Sequence, residues 1–354
     1  MGRAIKIGLG IILLFLIING TILLISEHSN KNMPINAENS MGNPNELNQD
    51  NCVIYSESNG LMTAPFIFGS RLYVYSIDED KDYLVSNLKR PFHDWGRNFC
   101  FKGNRIVASG GFDTGDGAAT EWLITLDGEK RELQLDTYHC QVLGNDDIFA
   151  IDHFGKTISR IDLTTEEREM LVTRSDYSFE QINIINNHLI AEDNNCNELI
   201  VIDLLSKEEN TFKLDNTSVT AVTEFGENKF IAICSQPGDI LEFDLQKNTM
   251  KKIAVIDSKE KGKGANFSEN CKVIEHTLYC NDFEYNIIKI NLRTGEISNL
   301  IDVSLVGEDI VTMRAYYCTD YIAIESYLGE NYKKQLQIFD YEGKLLKTKK
   351  IRNK

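Results

Sequence analysis

Gly238–Lys252 reads GDILEFDLQKNTMKK, and the same phrase returns in other letters along the chain. Glu284–Asn299 is EYNIIKINLRTGEISN, Asn197–Thr211 is NELIVIDLLSKEENT, and Lys156–Glu169 is KTISRIDLTTEERE. Each is a short alternating strand, then Asp or Asn, then a polar turn, then a weaker strand. The marker residues are Asp162, Asp203, Asp244 and Asn291, with looser copies at Asp127 and Asp340. Successive markers stand 35, 41, 41, 47 and 49 residues apart. A period of this size, with several short strands in each unit, belongs to propeller-like arrays. An all-β sandwich would also show many short strands, but has no reason to repeat one hairpin at near-constant spacing.

A second hairpin precedes each marker. Gln181–Glu192 is QINIINNHLIAE, Val222–Cys234 is VTEFGENKFIAIC, and Cys271–Cys280 is CKVIEHTLYC. Joined to the marker hairpin, every unit becomes a four-stranded antiparallel meander. One such sheet leaves a face uncovered, whereas sheets stacked around an axis cover one another. The expectation is therefore an all-β chain, a β-propeller of four-stranded antiparallel blades. Six units are clear. Ahead of them, Ala64–Phe68, Arg71–Ile77 and Asp82–Leu88 offer three strands of a degenerate unit, and Asn51–Tyr55 either completes it or pairs with the last. Seven blades are expected, or six if the leading material is a cap.

The N-terminus reads differently. Ile7–Ile25 (IGLGIILLFLIINGTILLI) carries no charge, and a bilayer core takes about 20 such residues in a helix. Arg3 and Lys6 precede it and Glu27 follows, which predicts a cytoplasmic segment at 1–6, a single transmembrane anchor at 7–25 and an outside location for the rest. A cleaved secretory signal would have a shorter apolar run and a small-x-small site close behind it. Residues 26–50, rich in Asn and Ser, read as a flexible linker, and 51–354 as the propeller domain. The expected location is the cell membrane, single-pass, with the C-terminal domain extracytoplasmic. A formal net charge of -16 disfavours nucleic acid as a partner.

The phrases LIVIDLLSKEE, IIKINLRTGE and LQIFDYEGKLL resemble blades of quinoprotein-like and NHL-like propellers, and of membrane-anchored bacterial propellers compared with the low-density-lipoprotein-receptor type. The resemblance covers about residues 51–350 and implies the fold. Such families include dehydrogenases, lyases, binding modules and assembly scaffolds. Quinoprotein alcohol dehydrogenases carry a tryptophan-docking motif in most blades, whereas this chain has only Trp95 and Trp122. No cofactor is expected.

Motifs for chemistry are sparse. The six histidines include no HxH or HExxH spacing, and neither G-x-S-x-G nor a P-loop occurs. His93 and Trp95, in a loop entering the second unit, and His153, at a strand end, are the candidates for a central funnel or loop site. The glycine-rich insert Gly110–Ala119 misses the spacing of a calcium loop, and the acidic tip at Asp78, Glu79, Asp80 and Asp82 reads as a solvated turn. The marker aspartates read as fold residues, each carboxylate accepting turn amides. Tyr327, Tyr332 and Tyr341 read as loop or turn residues of the last unit. Of eight cysteines, Cys271 and Cys280 flank one hairpin and are the candidate disulfide. The expected function is a binding or scaffolding module for a protein, peptide or glycan partner; the alternative is a hydrolase or lyase with its site in the central funnel.

Overall fold

The computed structural model describes residues 47, 49–58, 70–88, 99–102, 104–110, 120–126, 129–133, 137–144, 146–152, 154–176, 178–193, 197–214, 217–235, 238–256, 270–329 and 333–351. They form seven successive antiparallel sheets, each built from strands adjacent in sequence. The first holds β1 (Cys52–Ser58), β2 (Ser70–Ser76) and β3 (Lys81–Leu88). The second runs β4 (Phe99–Lys102), β5 (Arg105–Gly110), β6 (Thr120–Thr125), β7 (Lys130–Leu133). The third is β8 (Thr137–Leu143), β9 (Asp147–Asp152), β10 (Thr157–Asp162), β11 (Arg168–Thr173), and the fourth is β12 (Phe179–Ile185), β13 (His188–Asp193), β14 (Glu198–Asp203), β15 (Glu209–Lys213). The fifth is β16 (Val219–Glu224), β17 (Lys229–Cys234), β18 (Asp239–Asp244), β19 (Thr249–Val255). The sixth comprises β20 (Lys272–Ile274), β21 (Thr277–Asn281), β22 (Ile287–Asn291) and β23 (Ile297–Ile301). A one-turn helix, α1 (Val303–Val306), leads into the seventh: β24 (Ile310–Tyr317), β25 (Ile322–Leu328), β26 (Lys333–Phe339), β27 (Leu345–Ile351).

These are the seven blades of a four-stranded antiparallel β-propeller, the first showing three strands among the described residues. Asn51–Tyr55 runs into β1, which pairs within the first sheet; Ala64–Phe68 lies outside the described residues. The chain groups into two compact units. Residues 54–133 belong to one, while 49–53 and 134–351 belong to the other.

Within the larger unit, the fourth, fifth and sixth sheets are covered on both faces, and strand alternation divides their core residues between two neighbours. Leu189, Ala191, Ile200 and Ile202 of the fourth blade pack on Phe149, Ile151 and Ile158 of the third. The intervening Ile190, Leu199 and Val201 pack on Phe230, Ala232 and Phe243 of the fifth. Ile231, Ile233 and Ile240 then meet Leu278, Ile288 and Ile290 of the sixth. Burial on both sides is why these strands read as nearly unbroken apolar runs (FIAIC, LIVI) rather than as apolar–polar alternation.

The marker turns share one local geometry. Asp162 Oδ1 accepts the Thr164 and Thr165 amides at 2.8 and 2.7 Å, and Asp203 Oδ1 those of Leu205 and Ser206, both at 2.8 Å. Asn291 Oδ1 accepts Arg293 and Thr294 at 2.9 and 3.1 Å. Each turn then needs a left-handed residue: Glu166 (φ 61), Lys207 (φ 63), Gly295 (φ 74) and Gly343 (φ 86). Amide bonds to the charged form hold the Asp162 and Asp203 carboxyls below the usual range.

The membrane expectation is corrected. Among the described residues no helix is long and apolar enough to cross a membrane; α1 is a single turn, against the roughly 20 residues a bilayer requires. Ile7–Ile25, the expected anchor, lies outside the described residues, as do 1–6 and all of 26–50 except 47, 49 and 50. The described fold is a propeller with no support for an added transmembrane element. The kinship with membrane-anchored propellers, the single-pass topology, the extracytoplasmic location and the membrane as a partner all rested on that helix and are withdrawn with it.

Candidate functional site

In an antiparallel meander the turn from second to third strand and the exit to the next sheet leave from the same end. Backbone hydrogen bonds tie these segments together in the larger unit. The Phe179 amide donates to the Gly155 carbonyl at 2.8 Å, Ser235 to Ser218 at 2.7 Å and Ile256 to Gly238 at 2.8 Å. Gly238 is required here: its φ is 90, and a Cβ would stand 2.3 Å from the Ile256 carbonyl oxygen.

Buried carboxylates anchor this end. Asp193 Oδ1 accepts the Ser178 amide and Glu192 Oε1 the Val219 amide, both at 2.7 Å. Asp239 Oδ2 pairs with Lys252 Nζ at 2.5 Å, leaving Asp239 Oδ1 without a hydrogen-bond partner. Burial, and then the charges of Glu192 and Asp239, push the Cys234 thiol up to about 12, so it stays protonated and is a poor nucleophile. Helix α1 is fastened here as well. Asn286 Oδ1 accepts its first amide, from Val303, at 2.9 Å, and Gln335 Nε2 donates to the Val306 carbonyl at 2.7 Å. Anchored segments thus carry exposed apolar side chains: Phe154 at 76%, Leu305 at 60% and Val311 at 46% exposure.

A second polar cluster lies inside the last blade. Lys334 Nζ sits 2.5 Å from Glu325 Oε1, with both side chains buried, and 5.2 Å from the centre of the Tyr327 ring. The Tyr316 hydroxyl donates to Glu325 Oε2 at 3.0 Å and accepts from Arg314 at 3.4 Å. Burial, then the Glu325 charge, raise the Tyr316 phenol far above its ordinary value, so it remains a donor. These groups span β24, β25 and β26, with Glu325 shared between the Lys334 ammonium and the Tyr316 hydroxyl. The chemistry is that of a strut.

The sequence-predicted site residues fare unevenly. His93, Trp95 and His153 lie outside the described residues. Cys271 and Cys280 are described, with free thiols, in one apolar cluster. Tyr341 is a turn residue, as expected; it donates its hydroxyl to the Cys318 carbonyl at 2.6 Å and packs edge-on against Tyr279. Tyr327 is a strand residue beneath Lys334; Tyr332 lies outside the described residues. The acidic tip at 78–82 is an exposed turn over 78–80, as expected, and its carboxylates also accept from tyrosines of the first sheet. Tyr75 donates to Asp80 at 2.8 Å, Tyr55 to Asp82 at 2.9 Å, and Tyr83 to Glu79. Burial, then Asp82, raise the Tyr75 phenol to about 12. Among the described residues no group of three or more His, Cys, Asp or Glu side chains is placed to hold a metal ion. The buried carboxylates and Lys334 went unread in the sequence, although charged letters inside LIAED, IAIESYL and KKQLQIF mark polar groups at core positions.

The fold is shared widely. No family model and no curated protein sequence matches the chain, but many solved structures do. A putative 6-phosphogluconolactonase from Bacteroides uniformis has a TM-score of 0.55 at 10% identity, covering 85% of this chain and 100% of that one. A streptogramin B lyase has a TM-score of 0.55 at 12% identity, covering 85% and 88%. Hsv2 of Kluyveromyces lactis has a TM-score of 0.53 at 12% identity, covering 83% and 91%. At such identities the likeness is one of fold: the chain is similar to β-propellers, and those propellers do different things.

Proposed function

We propose that the protein is a binding or scaffolding module whose loop-bearing end takes a protein, peptide or glycan partner. The observation that carries this reading is the contrast at that end. Buried Glu192 and Asp193 and half-buried Asn286 hold loop backbones there, while Phe154, Leu305 and Val311 stand exposed at the same end. Large apolar groups on rigid supports lose little entropy on association, which is what an interface anchor requires. Aliphatic Leu305 and Val311 favour a protein or peptide surface over a sugar. The described charged clusters point the same way, because each is consumed in holding strands or loops.

The test is photo-crosslinking in native extract from positions 154 and 305, beside a control position on an outer strand such as 251. A discrete adduct from 154 or 305, lost in Phe154→Ala/Leu305→Ala, supports the reading. The hydrolase or lyase alternative would displace it if the full chain turned over glycan, ester or glycoside substrates and His93→Ala or His153→Ala abolished that turnover.

A further inference from the structure

The hairpin β20–β21 has the register Lys272↔Tyr279, Val273↔Leu278, Ile274↔Thr277, closed by the two-residue turn Glu275–His276. Continuing one step sets Cys271 opposite Cys280. In a hairpin with a two-residue turn the pair next to the turn is hydrogen-bonded, and the pairs alternate from there. Ile274–Thr277 and Lys272–Tyr279 are therefore the hydrogen-bonded pairs, and Cys271–Cys280 falls on a non-hydrogen-bonded one, where opposing Cα atoms are about 4.5 Å apart and side chains closest. That separation lies inside the roughly 4.4–6.8 Å range of disulfides. Direction agrees with distance. Cys271 and Cys280 pack into the same apolar cluster, on the face shared with Ile233 and Ile240. Cys234 and Cys318, both buried, belong to the fifth and seventh blades.

We propose that Cys271 and Cys280 form a cross-strand disulfide, made by exchange with a low-molecular-weight disulfide while the hairpin is still open. The Cys271 thiolate attacks a sulfur of the small disulfide, forming a mixed disulfide and expelling one small thiolate. The Cys280 thiolate then attacks the Cys271 sulfur, closing the protein bond and expelling the second. Two protein thiols lose two protons and two electrons; one small disulfide gains them as two thiols. Timing follows from the packing. Once the fifth blade covers the hairpin, burial raises both thiols well above their ordinary value and leaves little thiolate to react. The bond then locks the first two strands of the sixth blade together.

The experiment refolds the reduced full chain with and without oxidised glutathione, alkylates it in denaturant and maps tryptic peptides without reduction. Cleavage after Lys272 separates the cysteines, so the bond appears as Gly264–Lys272 joined to Val273–Lys289. The expected result is that joined pair after refolding with oxidant, its near absence when oxidant is added only to folded protein, and slower unfolding of the oxidised than the reduced chain. Cys271→Ser should lose the pair and the slowing, while Cys234→Ser keeps both. Should Cys271→Ser fail to fold, the wild-type map still decides. Alkylated Cys271 and Cys280 after oxidative refolding, or either one joined to a different cysteine, overturns the proposal.

Discussion

Asn51 and Asp320, 269 positions apart, exchange two hydrogen bonds: Asn51 Nδ2 donates to Asp320 Oδ2 at 2.7 Å, and the Asp320 amide donates to Asn51 Oδ1 at 3.1 Å. The Thr319 amide adds a third bond, to the Asp50 carbonyl at 3.0 Å. The chain entering β1 is thus held by the first turn of the seventh blade. Both sides of this contact belong to the larger unit.

This contact predicts a charge effect that composition alone would not. Asn51→Asp sets two carboxylates against each other and should cost about 1–3 kcal/mol. Asp320→Asn in the same chain should restore most of it. Chemical denaturation of the two single variants and the double variant measures the coupling, and purely additive effects would contradict the exchange of bonds.

The Lys334–Glu325 pair makes a sharper prediction. Removing one partner strands a buried charge, so Lys334→Ala or Glu325→Ala should destabilise by about 3–5 kcal/mol. Replacing both by apolar residues of similar volume, Lys334→Met with Glu325→Leu, should cost far less than either alanine variant. Denaturant midpoints at neutral pH compare them.

Glycine at 343 is needed for two reasons. Its φ of 86 disfavours a side chain, and an added Cβ would stand 2.5 Å from the Leu300 carbonyl oxygen of the neighbouring blade. Gly329 has φ 63 but nothing within 4 Å, so Gly329→Ala isolates the conformational part, about 1 kcal/mol. Gly343→Ala should cost clearly more in thermal unfolding. Lys207→Gly, at a left-handed position already occupied by a side chain, should be neutral or stabilising.

The marker carboxylates predict the acid limb of stability. Asp162, Asp203 and Asp244 have folded-state pKa values below their ordinary value: turn amides act on the first two, and on Asp244 the Lys247 ammonium and amide. A lowered folded pKa means the unfolded state takes up protons first. The stabilisation is complete above the unfolded value, near pH 4, and is lost as pH falls through the folded one. Asn keeps an oxygen acceptor without titrating, as Asn291 does in its own turn. Asp162→Asn and Asp203→Asn together should therefore flatten the loss of stability below pH 4 while keeping the fold at neutral pH. Equilibrium unfolding from pH 2 to 7 checks the slope.

Much of the candidate site was out of reach of sequence reading, and particular residues show why. Glu192 accepts an amide 27 positions away, from Val219 of the next blade, and Tyr341 reaches back to Cys318. Nothing local in LIAED or FDYEG names those partners. Phe154 and Phe149 are one residue type five positions apart, yet Phe154 is 76% exposed and Phe149 is buried, because the first lies at the β9–β10 turn and the second inside β9, packed against the fourth blade.

Taken alone, the chain of letters determined the strand–turn rhythm, six of the seven sheets and the work of Asp162, Asp203 and Asn291. Those features rest on alternation and on hydrogen bonds that span two or three residues. Tertiary structure alone decided which charges are buried, which aromatic rings are exposed, and that Asn51 meets Asp320. Those outcomes depend on which surface covers which, and segments far apart in the chain supply the covering surfaces.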